Sequence, residues 1–378
     1  MRRLRLGLVF GGRSVEHEVS LVSARAVLSH LDRNRYEVVP IGVARDGRWL
    51  TSSDTRALLD SGLGRSAGTR ATLTADPSVG GLVPIDDGGG TVALDVVFPL
   101  VHGAGGEDGT LQGLLDLAGL PYVGSGVLGS SLGMDKAAMK TMFTAAGLPS
   151  CRHLVVAKSR LGRDIAAITK DVGNEIGYPC FTKPSNGGSS VGVTKVKNAG
   201  ALPAALAEAA CYDRKVIVEE AVEGQEVECA VLGNDEPAAS IVGEIVPCHE
   251  FYDYSAKYLE EGTELVVPAR LTNAQSERVR SLSLEAFKVL DCAGMARVDF
   301  FVRRSDGEVL INEVNTIPGF TPISMYPRLW EASGIGFGAL VDRLVTLALE
   351  RHQERQSLKR DYAPPREVPG AKRAGEVR

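Results

Sequence analysis

The apolar positions of the first hundred residues fall into short runs divided by polar turns, and their period alternates between strand and helix. LRLGLVF (residues 4–10) is a continuous apolar run of strand length, closed by the turn GGRS. Residues 15–31 then carry Val15, Val19, Val22 and Ala26 at helical spacing, with Ser14 standing where an N-cap belongs. YEVVPIGV (36–43) and LDVVFPLV (94–101) predict two more strands, so this region reads as a parallel sheet flanked by helices. Residues 51–90, rich in Gly, Ser and Thr with GGG at 88–90, break the pattern and predict an excursion holding one short helix.

Beyond the glycine-rich residues 124–133 the pattern changes. MDKAAMKTMFTAAG opens a helix, and HLVVAK, PCFTKP, VGVTKV, KVIVEE, EVECAVLG and AASIVGEIV follow as strands of an antiparallel block. A helix at about 272–291, the strands MARVDFFVRR and VLINEVNTIP, and a helix at about 336–350 complete the pattern. The fold class is α/β, or α+β overall, with expected divisions at 1–125, 126–215 and 216–350. Residues 351–378 carry eight Lys/Arg, four acids and three prolines with almost no apolar pattern, and read as a disordered tail.

Composition narrows the class of function. The chain has 378 residues, 44% of them hydrophobic and 24% charged, with a net charge of −5. That is the composition of a globular protein and offers no basic face to a nucleic acid. The apolar run within MRRLRLGLVFGG stops after about five residues, short of a signal sequence, and no stretch reaches the ~18 apolar residues of a membrane span. A cytoplasmic protein without a membrane partner is expected. Six cysteines without a CxxC pair read as buried small hydrophobes rather than zinc ligands or disulfides.

Three constellations point to chemistry. In ARVDFFV (296–302) alternate residues share a face, so Arg297 and Asp299 point the same way; Glu313 and Asn315 do so in LINEVNTIPGF (310–320). If these strands pair, Asp299, Glu313 and Asn315 form a patch of hard oxygen ligands suited to Mg²⁺. The bland alternative is a polar sheet face with a salt bridge, but polar residues inside apolar strands are costly to bury unpartnered. FTKPSNGGSSVGVTKV (181–196) places Lys183 at a strand end before a Ser/Gly loop whose amides can wrap a phosphate; Lys136 opens the preceding helix. VIVEEAVEGQEVECAV (216–231) sets Glu219, Glu220 and Glu226 between two strands, where acids can accept from an adenine amino group or ribose hydroxyls. Each is weak alone; together they describe a nucleotide clamped between two antiparallel sheets.

These motifs, with GGRSVEHEVS (11–20), HGAGGEDGTLQG (102–113), FYDYSAKY (251–258) and NEVNTIPGFTPIS (312–324), resemble the D-alanine–D-alanine ligases of the ATP-grasp superfamily, in the family's order from about residue 4 to about 350. The resemblance implies a three-domain ATP-grasp fold: an N-terminal α/β domain, a central subdomain with the glycine loop, and a C-terminal subdomain with the metal site. It implies that Glu16 binds the ammonium of the first D-alanine, with His102 nearby, and that Lys136 and Lys183 contact ATP phosphates. Glu219, Glu220, Val222 and Glu226 would surround adenine and ribose, with Ser190 also on the nucleotide side. Ser189 and Tyr258 would bond with Glu16 to close a lid, and Lys257 would reach the γ-phosphate. Asp299, Glu313 and Asn315 would hold two Mg²⁺ (or Mn²⁺) ions. Arg297 and the Gly319 amide would form the oxyanion site, and Ser324, followed by Met325, the site of the second D-alanine. The implied reaction is ATP-dependent formation of D-alanyl-D-alanine through a D-alanyl phosphate, for peptidoglycan precursors, by a homodimer. Relatives that accept D-lactate depart from the FYDYSAKY pattern, and those favouring D-serine carry a charged residue after the Ser324 position; Tyr254, Lys257, Tyr258 and Met325 all favour D-alanine here.

Rival readings fail on context. Residues 124–129 match GxGxxG and precede a helix, but lie too far along the chain for a dinucleotide fingerprint. Residues 188–192 match GxSxG, yet the β-branched VGVTKV that follows is strand-like, where a hydrolase elbow requires a helix. A catalytically silent nucleotide-binding regulator would not need every metal and phosphate position filled.

Overall fold

In a computed structural model, which describes residues 2–64, 67–86, 88–247 and 263–359, the chain builds three sheets. The first is seven-stranded, in the order β6-β5-β4-β3-β2-β1-β7, from β1 (Leu4–Gly11), β2 (Tyr36–Val43), β3 (Trp49–Thr51), β4 (Thr69–Leu73), β5 (Gly81–Pro84), β6 (Val92–Ala93) and β7 (Val96–Pro99). Its centre is parallel, as expected: β1 lies between β2 and β7. The excursion at 51–90 is more ordered than its composition suggests. It holds α2 (Thr55–Asp60), and its short strands extend the sheet antiparallel from β2 outward.

Helix α1 (His17–His30) differs from expectation in two respects. Its first turn is not capped by Ser14; Glu16 takes the N-cap position without a side-chain bond, and the Ser14 hydroxyl donates to the His102 carbonyl at 2.7 Å. Of the expected stripe Ala26 is buried, but its valines do not form the buried face, since Val15 and Val22 are 55% and 41% exposed. The helix instead buries Ser20, Leu21, Ser23, Ala24 and Val27. Small residues allow close approach to the sheet, and their hydroxyls satisfy strand-end groups: Ser20 Oγ accepts from Gly11 N and donates to Leu100 O.

After α3 (Thr110–Leu117) and α4 (Val127–Met134), helix α5 (Lys136–Ala145) leads into a four-stranded antiparallel sheet, β10-β9-β11-β8. It comprises β8 (His153–Ala157), β9 (Cys180–Pro184), β10 (Thr194–Val196) and β11 (Lys215–Glu220), with α6 (Ile165–Glu175) and α7 (Leu202–Tyr212) packed on its apolar side. A division at 215/216 would sever β11 from its partners. That strand pairs with β8 and β9, and the chain leaves this sheet only at residues 221–223.

The third sheet, β14-β13-β12-β15-β16, is antiparallel: β12 (Gly224–Gly233), β13 (Ala238–Val246), β14 (Glu264–Val266), β15 (Gly294–Arg303) and β16 (Val309–Asn315). Helix α8 (Asn273–Val289) begins with a reciprocal Thr272–Gln275 capping box and covers one face. Helices α9 (Met325–Ala332) and α10 (Phe337–Ser357) pack on the other, in a core shared with the first sheet. The last helix therefore runs seven residues past its expected end at 350. Its extension is held by contacts that residue periodicity does not reveal. The Arg351 guanidinium stacks 4.5 Å over the Tyr122 ring and donates to the Tyr122 carbonyl, and Arg355 pairs with Asp116 at 2.5 Å. Residues 360–378 lie outside the described residues.

Cys151, Cys180, Cys229 and Cys292 are buried as expected, whereas Cys211 is exposed; Cys248 lies outside the described residues. No single described helix is long and apolar enough to cross a membrane.

Candidate active site

The two strands with polar faces pair, which meets the condition set from the sequence. In the β15–β16 register Asp299 faces Glu313 and Arg297 faces Asn315. A bulge follows Asp299, which opposes Phe300 to Ile311 and leaves Asn312 unpaired. Arg297 donates to both Asp299 oxygens at 2.7 Å, and the Asn315 amide nitrogen donates to Asp299 at 3.0 Å. A third strand contributes an acid that sequence reasoning did not single out. Glu228 on β12 lies across from Asp299, is 5% exposed, and meets Arg297 Nε at 3.0 Å. Burial disfavours the Arg297 cation, but Asp299 and Glu228 more than compensate and hold its pKa well above the usual value.

Asp299, Glu313 and the Asn315 side-chain carbonyl are hard oxygen donors at adjacent register positions, with Arg297 and Lys136 balancing the carboxylate charge. Among the described residues no group of three or more His, Cys, Asp or Glu is placed to hold a metal ion by itself. Two carboxylates and an amide fit a cation that takes the rest of its oxygens from phosphate.

Lys136 joins this patch to the glycine loop. As the first residue of α5 it bonds through its backbone N to Ser185 O, and its ammonium reaches both Gly187 O at 2.7 Å and Glu313 Oε2 at 3.0 Å. The preceding Asp135 fixes that end, accepting from Ser185 Oγ and pairing with Lys215. Within the loop Ser189 and Ser190 both have positive φ, +49° and +58°, a conformation costly for non-glycine residues. The loop leads to β10, not to a helix, which removes the hydrolase reading.

The loop reaches the N-terminal unit. The Ser189 hydroxyl donates to Glu16 Oε1, and a Cβ on Gly188 would stand 3.0 Å from Glu16 Oε2. Glu16 is 8% exposed. Near it, His102 Nδ1 lies 3.1 Å from Ile317 O and Nε2 lies 3.2 Å from Ser23 Oγ. Nδ1 donating to the carbonyl and Nε2 accepting from the hydroxyl satisfies both contacts, and burial lowers the His102 pKa, so the ring is neutral. Another acid missed from the sequence, Glu107, accepts from Gly103 N at 2.6 Å and Ile317 N at 3.2 Å. Burial, and then the Glu16 charge, pushes its carboxyl up to about 8.

His102, Glu107 and Ser23, which also accepts from Phe320 N, thus hold residues 317–320 against the first sheet. That segment carries Gly319, whose Cβ position would lie 2.7 Å from Ser324 Oγ; only glycine allows this approach. The Ser324 hydroxyl also meets Thr321 N and Thr321 Oγ1. Met325 is 4% exposed and its thioether packs toward Gly243, in the core beside Ser324 rather than on an open face.

The acids at 219–226 separate by strand alternation. Glu219 points inward, 2% exposed, between Lys140 Nζ at 3.1 Å and Lys183 Nζ at 2.5 Å. Burial raises its pKa, but Lys140 and then Lys183 bring it down to about 2; burial opposes the Lys183 cation, yet Glu219 raises its pKa. Glu220 points the other way and is taken by Arg152 N and Nε. Val222 lies in the link between the sheets, and Glu226 on β12 two residues before Glu228. Lys257 and Tyr258 lie outside the described residues. Lys140 went unnoticed in the sequence, although it stands four residues after Lys136 and so on the same side of α5.

Family models described as the D-ala D-ala ligase N-terminus and C-terminus match residues 5–125 and 142–346. A D-alanine–D-alanine ligase of Geobacillus kaustophilus is 47% identical over 359 residues, covering 94% of this chain and 97% of that protein. Among solved structures, the D-alanine–D-alanine ligase of Coxiella burnetii is 35% identical with a TM-score of 0.81, covering 94% of this chain and 97% of its own. A D-Ala:D-Ser ligase of Enterococcus faecalis is 37% identical with a TM-score of 0.82, covering 92% and 100%.

Proposed function

The chain belongs to the D-alanine–D-alanine ligase family, and from that premise we propose how its residues divide the work. It is an ATP-dependent ligase that joins two D-alanines for peptidoglycan synthesis and uses a divalent metal. The observation that carries the site assignment is Lys136, whose one ammonium bonds the glycine loop at Gly187 and the oxygen patch at Glu313. Phosphate-binding loop and metal donors are therefore parts of one site.

In this reading Glu16 takes the ammonium of the first D-alanine, with His102 as a neutral strut beside it. Lys136 and Lys183 neutralise ATP phosphates, assisted by Lys257. Ser190, Glu219, Glu220, Val222 and Glu226 border the nucleotide, with Glu219 acting chiefly through its lysines. Asp299, Glu313 and Asn315 would hold two Mg²⁺ (or Mn²⁺) ions, which supply charge neutralisation at the phosphates. The carboxylate of the first D-alanine attacks the γ-phosphorus, ADP leaves, and a D-alanyl phosphate forms. The amine of the second D-alanine, its carboxylate bound by Ser324 beside Met325, attacks the acyl carbon; phosphate leaves and the amine gives up a proton. Arg297 and the Gly319 amide meet the negative charge that develops on the acyl oxygen, an interaction typically worth roughly 2.7–4 kcal/mol per donor. Acyl phosphates hydrolyse, so Ser189, with Tyr258, closes over Glu16 to exclude water. Divisions near 1–125, 126–220 and 224–350, a homodimer formed through the N-terminal unit and a cytoplasmic location complete the proposal.

The test is ADP release with D-alanine alone and with added D-lactate or D-serine, products being identified by mass. D-alanyl-D-alanine is expected to dominate; a mixed product in excess would overturn the acceptor assignment.

A further inference from the structure

Lys140 is a fully buried cation that the reaction scheme leaves without a role. Its side chain is 0% exposed, on the inner face of α5. Its ammonium spans both sheets of the clamp: it donates to Asn312 O at 3.1 Å, at the bulge of β16, and meets Glu219 Oε1 at 3.1 Å on β11. The other Glu219 oxygen belongs to Lys183, at 2.5 Å. Two lysines therefore share one carboxylate.

Other titratable groups facing this cluster do not alter its charge. The Cys151 thiol is pushed up to about 11 by burial and stays protonated. His153 is held below its usual value by burial and by Lys140 itself, and stays neutral. Glu313, a further acid that helps to raise the Lys183 pKa, is paired with Lys136. The cluster Lys140–Glu219–Lys183 thus carries one surplus positive charge inside the protein. A carboxylate paired with only one lysine would leave none.

We propose that Lys140 is a positioning residue of the nucleotide site: the fixed counter-ion of Glu219, which leaves the charge of Lys183 uncompensated and available to the phosphates of the nucleotide. The inference rests on the reading that Lys183 serves ATP phosphates. Lys140 itself touches no substrate; it acts by balancing the charge of the ionised Glu219, from a site that also ties the two sheets together at Asn312.

Calorimetric titration of the full-length chain with ADP and with adenosine, both in the presence of Mg²⁺, gives a ratio of affinities in which base and ribose contacts cancel. Removing one unit charge within about 10 Å at an effective permittivity near 20 changes that ratio by at least about tenfold. Lys140→Gln, which keeps a donor for Asn312 O, is expected to lower the ratio by this factor, as is Lys183→Met. Lys140→Gln/Glu219→Gln, with its buried pair neutral and Lys183 again in surplus, is expected to restore it. A Lys140→Gln protein with an unchanged ratio and a lowered melting temperature would show Lys140 to be a strut only, and overturn the proposal. Lys183→Met without effect would instead remove the phosphate reading of Lys183, and the proposal with it, a pattern separable from silence of the Lys140 variant alone. Where the single Lys140 variant fails to fold, the double variant decides: a ratio still about tenfold below wild type refutes the charge argument.

Discussion

Ser189→Ala tests whether the glycine loop is the lid. The Ser189 hydroxyl donates to Glu16 Oε1 between two units of the chain, and both side chains are 8% exposed. Alanine keeps the positive φ of +49° and its cost while removing the bond to Glu16. A hydrogen bond to a charged group is worth about 1.5–3 kcal/mol, which shifts the closing equilibrium by about 10- to 150-fold. Glu16, the proposed ammonium acceptor, loses a partner in the same step. At saturating ATP the value of kcat/KM for D-alanine is therefore expected to fall roughly 10- to 100-fold. ADP formed per dipeptide should rise above one, because an open loop admits water to the acyl phosphate. Coupled ADP release measured beside dipeptide quantified by mass gives both readouts. A variant with wild-type kcat/KM and one ADP per dipeptide would refute the lid.

Glu313→Gln and Lys183→Ala should each reduce phosphate release at least about a hundredfold while the folded circular dichroism spectrum and the melting transition persist; near-normal turnover in either would sink the site assignment. Arg297→Met removes the cation shared by Glu228 and Asp299, so denaturant unfolding should show a loss of about 3–5 kcal/mol in addition to a kcat loss of about a hundredfold or more. Glu107, pushed up to about 8, binds its proton more tightly folded than unfolded; its contribution is complete below the ordinary carboxyl range and is lost as pH rises through about 8. The melting temperature of wild type should therefore fall more steeply between about pH 5 and 8 than that of Glu107→Gln, and parallel slopes would contradict the assigned protonation.

The difference between what the sequence reveals and what it conceals follows from which interactions leave a local pattern. A polar residue inside an apolar strand is conspicuous because its burial demands a partner. That is why Arg297, Asp299, Glu313 and Asn315 are legible: alternation puts each pair on one face, and the β15–β16 pairing then joins them. Glu228 carries the same signature in EVECAV, but one acid among several nearby gives no indication that its partner is Arg297 on the next strand. Ser20 and Ser23 are less visible still. A hydroxyl on a helix reads as solvent-facing, and only the backbone groups at the end of the first sheet and in residues 317–320 explain why that face is buried while Val15 and Val22 are exposed.

The lysines show what pattern cannot supply. Lys136 and Lys183 are visible as cations near a glycine loop and Lys140 is not, yet the roles of all three depend on how two carboxylates are shared among them. Glu313 takes Lys136, and Glu219 takes both Lys140 and Lys183. With Lys140 absent from that count, Glu219 and Lys183 form a closed pair and the clamp has no surplus charge for a phosphate. With Lys140 included, the same two residues become part of an anion-attracting site. Lys140 and Lys136 are one helical turn apart, and each joins β16 to the second sheet or its loop: Lys140 through Asn312 O and Glu219, Lys136 through Glu313 and Gly187 O. One turn of α5 therefore serves both halves of the nucleotide clamp.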